Sequence, residues 1–205
     1  MDARDSDLRG IWAGRLTARR QRAAAVLDGL YARSLAAYWG VEMGAGCVFF
    51  GRPILRRLPE SSIAIGERCV FRSAQWSNQI GINRPCMITT VRRGARLSIG
   101  RDCGFSGAVV AAATEILIGD NVLVGANVTI TDTDWHGMQP GARHEAGESA
   151  AVHICDGVWL GLNVIVLKGV TIGKDTVIAA GSVVSVSIPD GVIAAGQPAK
   201  VLREL

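Results

Sequence analysis

The sequence predicts an all-β solenoid, a parallel β-helix of three-faced coils, preceded by an α-helical segment and closed by a short tail. Three observations carry this prediction. Six aliphatic residues stand at intervals of six near the C-terminus: Ile154, Leu160, Val166, Ile172, Ile178 and Val184. A second row, Val152, Val158, Val164, Val170, Thr176 and Ser182, runs two positions ahead of them, a register that matches neither the helical period of 3.6 nor the strand period of 2. Glycine supplies 25 of the 205 residues and 49% of the chain is hydrophobic, which suits a chain that turns corners often and packs what lies between them. With one hexapeptide per flat face and three faces per coil, equivalent positions of successive coils fall into one apolar column, and that column is the core.

Residues 1–40 read as a helical segment. No proline interrupts Ser6 to Tyr38, and Leu8, Ile11, Trp12, Leu16, Ala23, Val26, Leu27, Leu30, Tyr31, Leu35 and Tyr38 recur at three and four, the amphipathic spacing, with a break expected near Gly29. Arg9, Arg15, Arg19, Arg20, Arg22 and Arg33 leave two readings open. One is a helix lying on a membrane surface; the other is a helix packed on the solenoid or a neighbouring subunit, capping the open end of the stack. Residues 41–205 read as the β-helix. From Val41 to Arg96 the six-fold register is imperfect, so irregular first coils are expected. Leu97, Ile99, Cys103, Phe105 and Val109 resume the pattern, and Ile116, Ile118, Val122, Val124, Val128 and Ile130 hold it. It then stops over residues 131–151, which carry Pro140 and two of the three histidines. A long structureless loop extruded from a compact repeat is usually functional. Pro189 and Pro198 bracket a departure from the coil, after which a short strand or helical tail ends the chain.

Composition narrows the function classes. Residues 1–101 hold 17 Lys+Arg against 7 Asp+Glu, and residues 102–205 hold 5 against 11, so the net +4 hides two opposed halves. A solvated basic face explains the first half; an anionic partner, a lipid surface or an acidic glycan, is the alternative. No nucleic-acid motif accompanies the charge. Cys47, Cys69, Cys86, Cys103 and Cys155 are widely spaced without any CxxC, which argues for reduced packing residues rather than a disulfide framework or zinc ribbon. No apolar run reaches the ~20 residues of a spanning helix, and Met1-Asp2-Ala3-Arg4-Asp5 lacks the order of a signal peptide. A cytoplasmic location is expected, with the inner face of the membrane as its one refinement.

The segments ILIGDNVLVGANVTITDTDWH (116–136), ICDGVWLGLNVIVLKGVTIGKDTVIAAGSVV (154–184) and IPDGVIAAGQPAKVLREL (188–205) resemble the left-handed β-helix hexapeptide acyltransferases, such as galactoside and maltose O-acetyltransferases and the sugar acetyltransferases of polysaccharide clusters. The resemblance implies left-handed coiling, a homotrimer, and acetyl-CoA as donor in a groove between subunits, with no metal. It makes His136 the general base that takes a proton from a sugar hydroxyl, with Asp132 or Asp134 accepting from its other ring nitrogen. Matching donor positions are Trp159, Gly161, Ala179, Ala180 and Gly181, whose small corners admit the pantetheine arm, and Lys200 and Arg203 near the phosphates. Relatives carry Thr-Lys where this chain has Ser185-Val186, so a phosphate contact is lost or moved to Lys174. Acceptor positions are Ser106, Gly107 and Asn127, the last of which also suits a corner or an asparagine ladder; Trp135 and Met138 offer an apolar wall for a sugar face. The expectation is an O-acetyltransferase acting on a surface polysaccharide or its lipid-linked or nucleotide-linked precursor. Its rivals are an N-acetyltransferase on an amino-sugar nucleotide, a three-histidine zinc enzyme of the carbonic anhydrase kind, and a non-catalytic membrane-docked scaffold.

Overall fold

The computed structural model describes residues 7–205; the N-terminal stretch read against a signal peptide, and the expected helix start at Ser6, lie outside the described residues. One long helix, α1 (Leu8–Trp39), leads into three sheets that share every coil. Face one stacks Glu42–Met43, Ser62–Ile65, Arg96–Ile99, Glu115–Ile118, Val152–Ile154 and Thr171–Ile172. Face two stacks Val48–Phe50, Val70–Arg72, Gly104–Ser106, Leu123–Ala126, Trp159–Leu160, Val177–Ile178 and Val192–Gly196, and face three runs from Ile54–Arg56 to Val183–Val184. All neighbours are parallel except the last pair, where Ala199–Glu204 folds back antiparallel on Val192–Gly196 as a terminal hairpin. The tail is therefore a strand.

The six-residue rows land as the spacing requires. Ile154 pairs with Ile172 on face one, Leu160 with Ile178 on face two and Val166 with Val184 on face three, and all six are buried. The two hydroxyls in the second row are satisfied inside the prism: Thr176 Oγ1 donates to the Pro189 carbonyl and Ser182 Oγ to the Ala179 carbonyl, each at 2.7 Å, as buried polar atoms require. The recurring Ile-Gly-Asp corners have a mechanical reason. Asp156 Oδ1 accepts from the Asp120 amide of the coil before it at 2.7 Å, and a Cβ on Gly119 would stand 2.3 Å from that oxygen.

The first coils are complete. Val48, Val70 and Gly104 stand in register on face two, and Phe49, Phe71 and Phe105 stack as parallel rings 5.0 and 5.1 Å apart beneath them. Their register is masked in the sequence by an excursion between Arg72 and Met87, which separates two strands that the later coils keep close. The five cysteines are free; the thiols of Cys47, Cys69 and Cys103 donate to the carbonyls of Gly66, Gly100 and Gly119. A hydrogen bond to Cys103 pushes the Cys69 thiol up to about 11, so it packs as a protonated side chain.

Helix α1 runs unbroken through Gly29, because that residue is buried and a straight helix there seats Ala32 and Ala36 in the core of the first coil. Asp28 accepts from the Gly51 amide at 2.7 Å and the Arg52 guanidinium lies over the Tyr31 ring. Gly40, in the left-handed region at φ 61°, ends the helix. Among the described residues of the helix none before Gly29 is buried, and Leu8, Ile11, Trp12 and Leu16 are exposed. Among the described residues no helix is long and apolar enough to cross a membrane.

Candidate active site

The excursion after Thr131 leaves the edge between faces three and one as an ordered spur. Its stem is a short antiparallel ladder: Ala150 N–H donates to the Asp132 carbonyl, Thr133 bridges Ser149, and Asp134 N–H donates to the Glu148 carbonyl at 3.0 Å. Arg92 reaches from the second coil to Thr133 Oγ1 and the Gly147 carbonyl, and Lys168 from the fifth coil binds both Asp134 and Glu148. A 3-10 turn, Pro140–Ala142, shapes the tip. Gly147 has to be a glycine, because a Cβ there would lie 2.6 Å from the His136 carbonyl oxygen. The loop expected to be structureless is thus braced from both ends of the stack.

His136 stands exposed on this spur, and its Nδ1 lies 2.9 Å from the Arg143 carbonyl oxygen. A carbonyl can only accept, so Nδ1 carries the proton and Nε2 presents its lone pair. The orienting group is therefore a backbone carbonyl, and neither expected carboxylate fills that place. Asp132 is completely buried and turned the other way, its two oxygens accepting from the amides of Ala113, Thr114 and Glu115 at 2.6, 2.7 and 2.8 Å. Asp134 is held by Lys168, whose pKa is raised by that hydrogen bond and by Glu148. His144 is exposed at the tip, and His153 sits on face one with Nε2 3.3 Å from Glu115 Oε1. Among the described residues no three His, Cys, Asp or Glu side chains converge.

The expected donor residues gather on a different edge, between faces two and three. A Cβ on Gly125 would lie 2.7 Å from the Gly161 carbonyl carbon, and a Cβ on Gly161 would lie 2.6 Å from the Ala180 amide nitrogen, so these corners stack in direct contact. Gln197 donates to the Gly181 carbonyl, and the terminal hairpin sets Lys200 opposite Ala195 in line with Ala179. Arg203 lies farther along the hairpin opposite Ile193. Lys174 turns the corner between faces one and two, where its amide donates to Asp190, whereas Ser185 and Val186 follow the last strand of face three.

The expected acceptor residues divide between the two edges. Ser106 lines a recess of about 440 Å³ on face two together with Trp159, an expected donor residue, and with Gly104, Leu123 and Arg72. Asn127, at φ 60°, is no ladder residue: its Oδ1 accepts from Asn83 N–H and its Nδ2 donates to the Gly81 carbonyl, stapling the excursion after Arg72 to the corner. Gly107 belongs to the same staple, its carbonyl accepting from Arg84. Trp135 and Met138 stay with His136 on the spur, both exposed. Arg92, Lys168 and the Arg143 carbonyl went unread in the sequence. Coil arithmetic offered one signal: Thr131 pairs with Ala111, which sets Asp132 against the 113–115 amides.

A model of the bacterial transferase hexapeptide (six repeats) matches residues 151–185, and a model of the hexapeptide repeat of succinyl-transferase matches residues 96–132. The chain is 47% identical over 93 residues to the galactoside O-acetyltransferase of Lactococcus lactis, covering 45% of this chain and 44% of that one. To the galactoside O-acetyltransferase of Escherichia coli it is 41% identical over 116 residues, 55% and 56% of the two chains; it spans about half the length of the curated relatives it matches. The hexapeptide-repeat acetyltransferase VCA0836 of Vibrio cholerae, solved with acetyl-CoA, superposes over all of this chain and 92% of that one with a TM-score of 0.52 at 22% identity. Repeat models thus fall on both stretches of the regular stack, and the coils they describe are those of a left-handed β-helix built from hexapeptide repeats, the fold that this neighbour shares.

Proposed function

We propose that the chain is an acetyl-CoA-dependent O-acetyltransferase acting on a sugar hydroxyl of a surface polysaccharide or its precursor, and that it works as a homotrimer. The observation that carries this reading is the tautomer of His136: Nδ1–H is spent on the Arg143 carbonyl, leaving Nε2 as an exposed base. A sugar hydroxyl is a weak nucleophile, and Nε2 takes its proton as the oxygen attacks the acyl carbon. The imidazolium that forms keeps the Arg143 carbonyl as a partner, now in a charge-assisted bond. The same nitrogen then returns the proton to the departing sulfur, so no covalent enzyme intermediate is needed. Acetyl-CoA, as named for the Vibrio neighbour, supplies the activated thioester.

The small corners at Gly161, Ala179 and Ala180 fit such a donor, since they expose backbone where an amide-bearing arm needs partners, with Lys200 available to its phosphates. The names of the two curated relatives support an O-linked sugar acceptor. The layout is consistent with trimerisation, because His136 and the small corners occupy separate edges of one prism and a seam between copies would bring them together.

The test is His136→Ala. Acetyl transfer from acetyl-CoA to a sugar panel, followed by mass spectrometry, should fall about 10²–10⁴-fold, with the particle mass by light scattering unchanged. An intact assembly that still transfers acetyl at a near-normal rate would sink the reading.

A further inference from the structure

Trp135, next to the base, has φ 67°, a left-handed setting that a bulky aromatic rarely adopts and that marks sites built for a purpose. The cause is a tight reversal: Trp135 N–H donates to Thr133 Oγ1 at 3.3 Å while His136 N–H donates to the Asp134 carbonyl at 2.8 Å. The reversal carries the indole off the spur and onto the outside of face three. There it closes a recess of about 380 Å³ over the first two coils, with Ile54, Met87 and Val91 as its apolar lining and Arg56 and Thr89 as its polar members. That volume lies at the lower end of the ~300–1,000 Å³ range of small-molecule sites.

The charges around this recess do not cancel. Arg56 is the one arginine in its lining, and the arginines that adjoin the lining residues in sequence are committed elsewhere: Arg57 to the Trp39 and Ser61 carbonyls, Arg92 to Thr133 and Gly147, and Arg93 to Glu60. The carboxylates nearby are committed too, Glu60 to Arg93 and Asp134 and Glu148 to Lys168. Among the described residues Arg56 has no carboxylate and no hydrogen-bonding partner, and it is exposed. An unneutralised guanidinium at the rim of an apolar recess with an aromatic wall matches one chemistry, a ring with a hydrophobic face that bears an anion. The stem bonds of the spur fix the backbone that carries the indole before any ligand arrives, which lowers the cost of ordering the site.

We propose that this recess is an acceptor subsite for an anionic sugar, with the Trp135 indole against the ring and the Arg56 fork on a phosphate or carboxylate. It deepens the acyl-transfer reading and rests on it only for the word acceptor, since His136 follows Trp135 directly in the chain. The substrate class it names is a sugar phosphate or a uronic acid rather than a neutral glycoside.

The experiment measures binding without turnover. His136→Ala protein, with no donor present, is titrated by ligand-observed NMR with glucose 1-phosphate, glucuronic acid and glucose. At least one charged probe should bind about ten-fold or more tighter than glucose, the margin of one charge-assisted contact, and which one does so distinguishes phosphate from carboxylate. Arg56→Ala in the same background should erase that margin, Arg56→Lys should keep part of it, and Trp135→Ala should weaken every probe that binds. Equal binding of all three probes, or a margin that survives Arg56→Ala, overturns the proposal. Neither result touches the assignment of the base, which stands or falls on acetyl transfer by the His136→Ala protein.

Discussion

Asp132 shows how a side chain that resembles a catalytic group acts as a fastener. Its carboxylate satisfies three amides at the corner one coil below, that of the buried Ala113 among them. Asp132→Ala should therefore cost roughly 3 kcal/mol, the penalty of stripping these amides of a buried acceptor, read as a lower midpoint in urea unfolding. Asp132→Asn keeps the shape but replaces one acceptor by an amide donor, and should recover part of that loss. If both variants unfold like the parent while acetyl transfer collapses, the residue works on the imidazole after all. The spur bears a second fastener in Lys168. Its pKa is raised above the ordinary 10.5 by Asp134 and then Glu148, so the contribution of this pair is fully present below about pH 10.5 and is lost as pH rises through the higher folded value. Lys168→Met removes it at every pH, and limited proteolysis between Gly137 and Ala146 should accelerate in that variant at pH 8 while the coils stay resistant.

Among the elements, α1 divides into a half that belongs to the fold and a half that does not. Only Gly29, Ala32 and Ala36 are buried along its length, and the arginines before Gly29 lie among the exposed apolar residues rather than on an opposite stripe. Ala32→Asp places an unpaired charge in the core of the first coil and should destabilise the protein by about 3 kcal/mol or more. Substituting Leu8, Ile11, Trp12 and Leu16 together by serine should leave the melting temperature nearly unmoved, as measured by circular dichroism. The same quadruple variant tests the membrane reading, since any sedimentation of the parent with anionic vesicles should be lost with those side chains.

The elements also mark where sequence reading works. Hexapeptide rows are legible from Ile116 to Val184 because every coil there but one is uninterrupted, and the interruption itself announced the spur. The first two coils are obscure in the sequence because an excursion after Arg72 lengthens one corner, so Phe71 and Phe105 stack although they stand 34 positions apart. His136 is legible as a side chain in a motif, whereas the partner of its ring is a backbone carbonyl, which any residue at 143 would supply. Asp134 was misread because its partner, Lys168, lies one coil away in a register that only the finished stack reveals.

At the scale of the whole molecule His136 and the corners at Gly161 and Ala180 stand on separate edges of the prism, and under the proposed function this has a countable consequence. In the proposed ring of three copies each seam would combine the spur of one protomer with the two-three edge of the next. Take two inactive variants, His136→Ala, which lacks the base, and Ala180→Tyr, which fills the exposed corner at Ala180 and blocks the donor edge. A trimer containing both kinds, in either ratio, has one seam where an intact spur faces an intact edge. Unfolding and reassembling an equal mixture makes about three quarters of the trimers mixed, each with one working seam in three, so about a quarter of the parental specific activity should return. Each variant reassembled alone should stay inactive. If the mixture also stays inactive while light scattering shows mixed trimers, the imidazole and the donor edge that serve one reaction belong to the same chain, and the seam assignment fails.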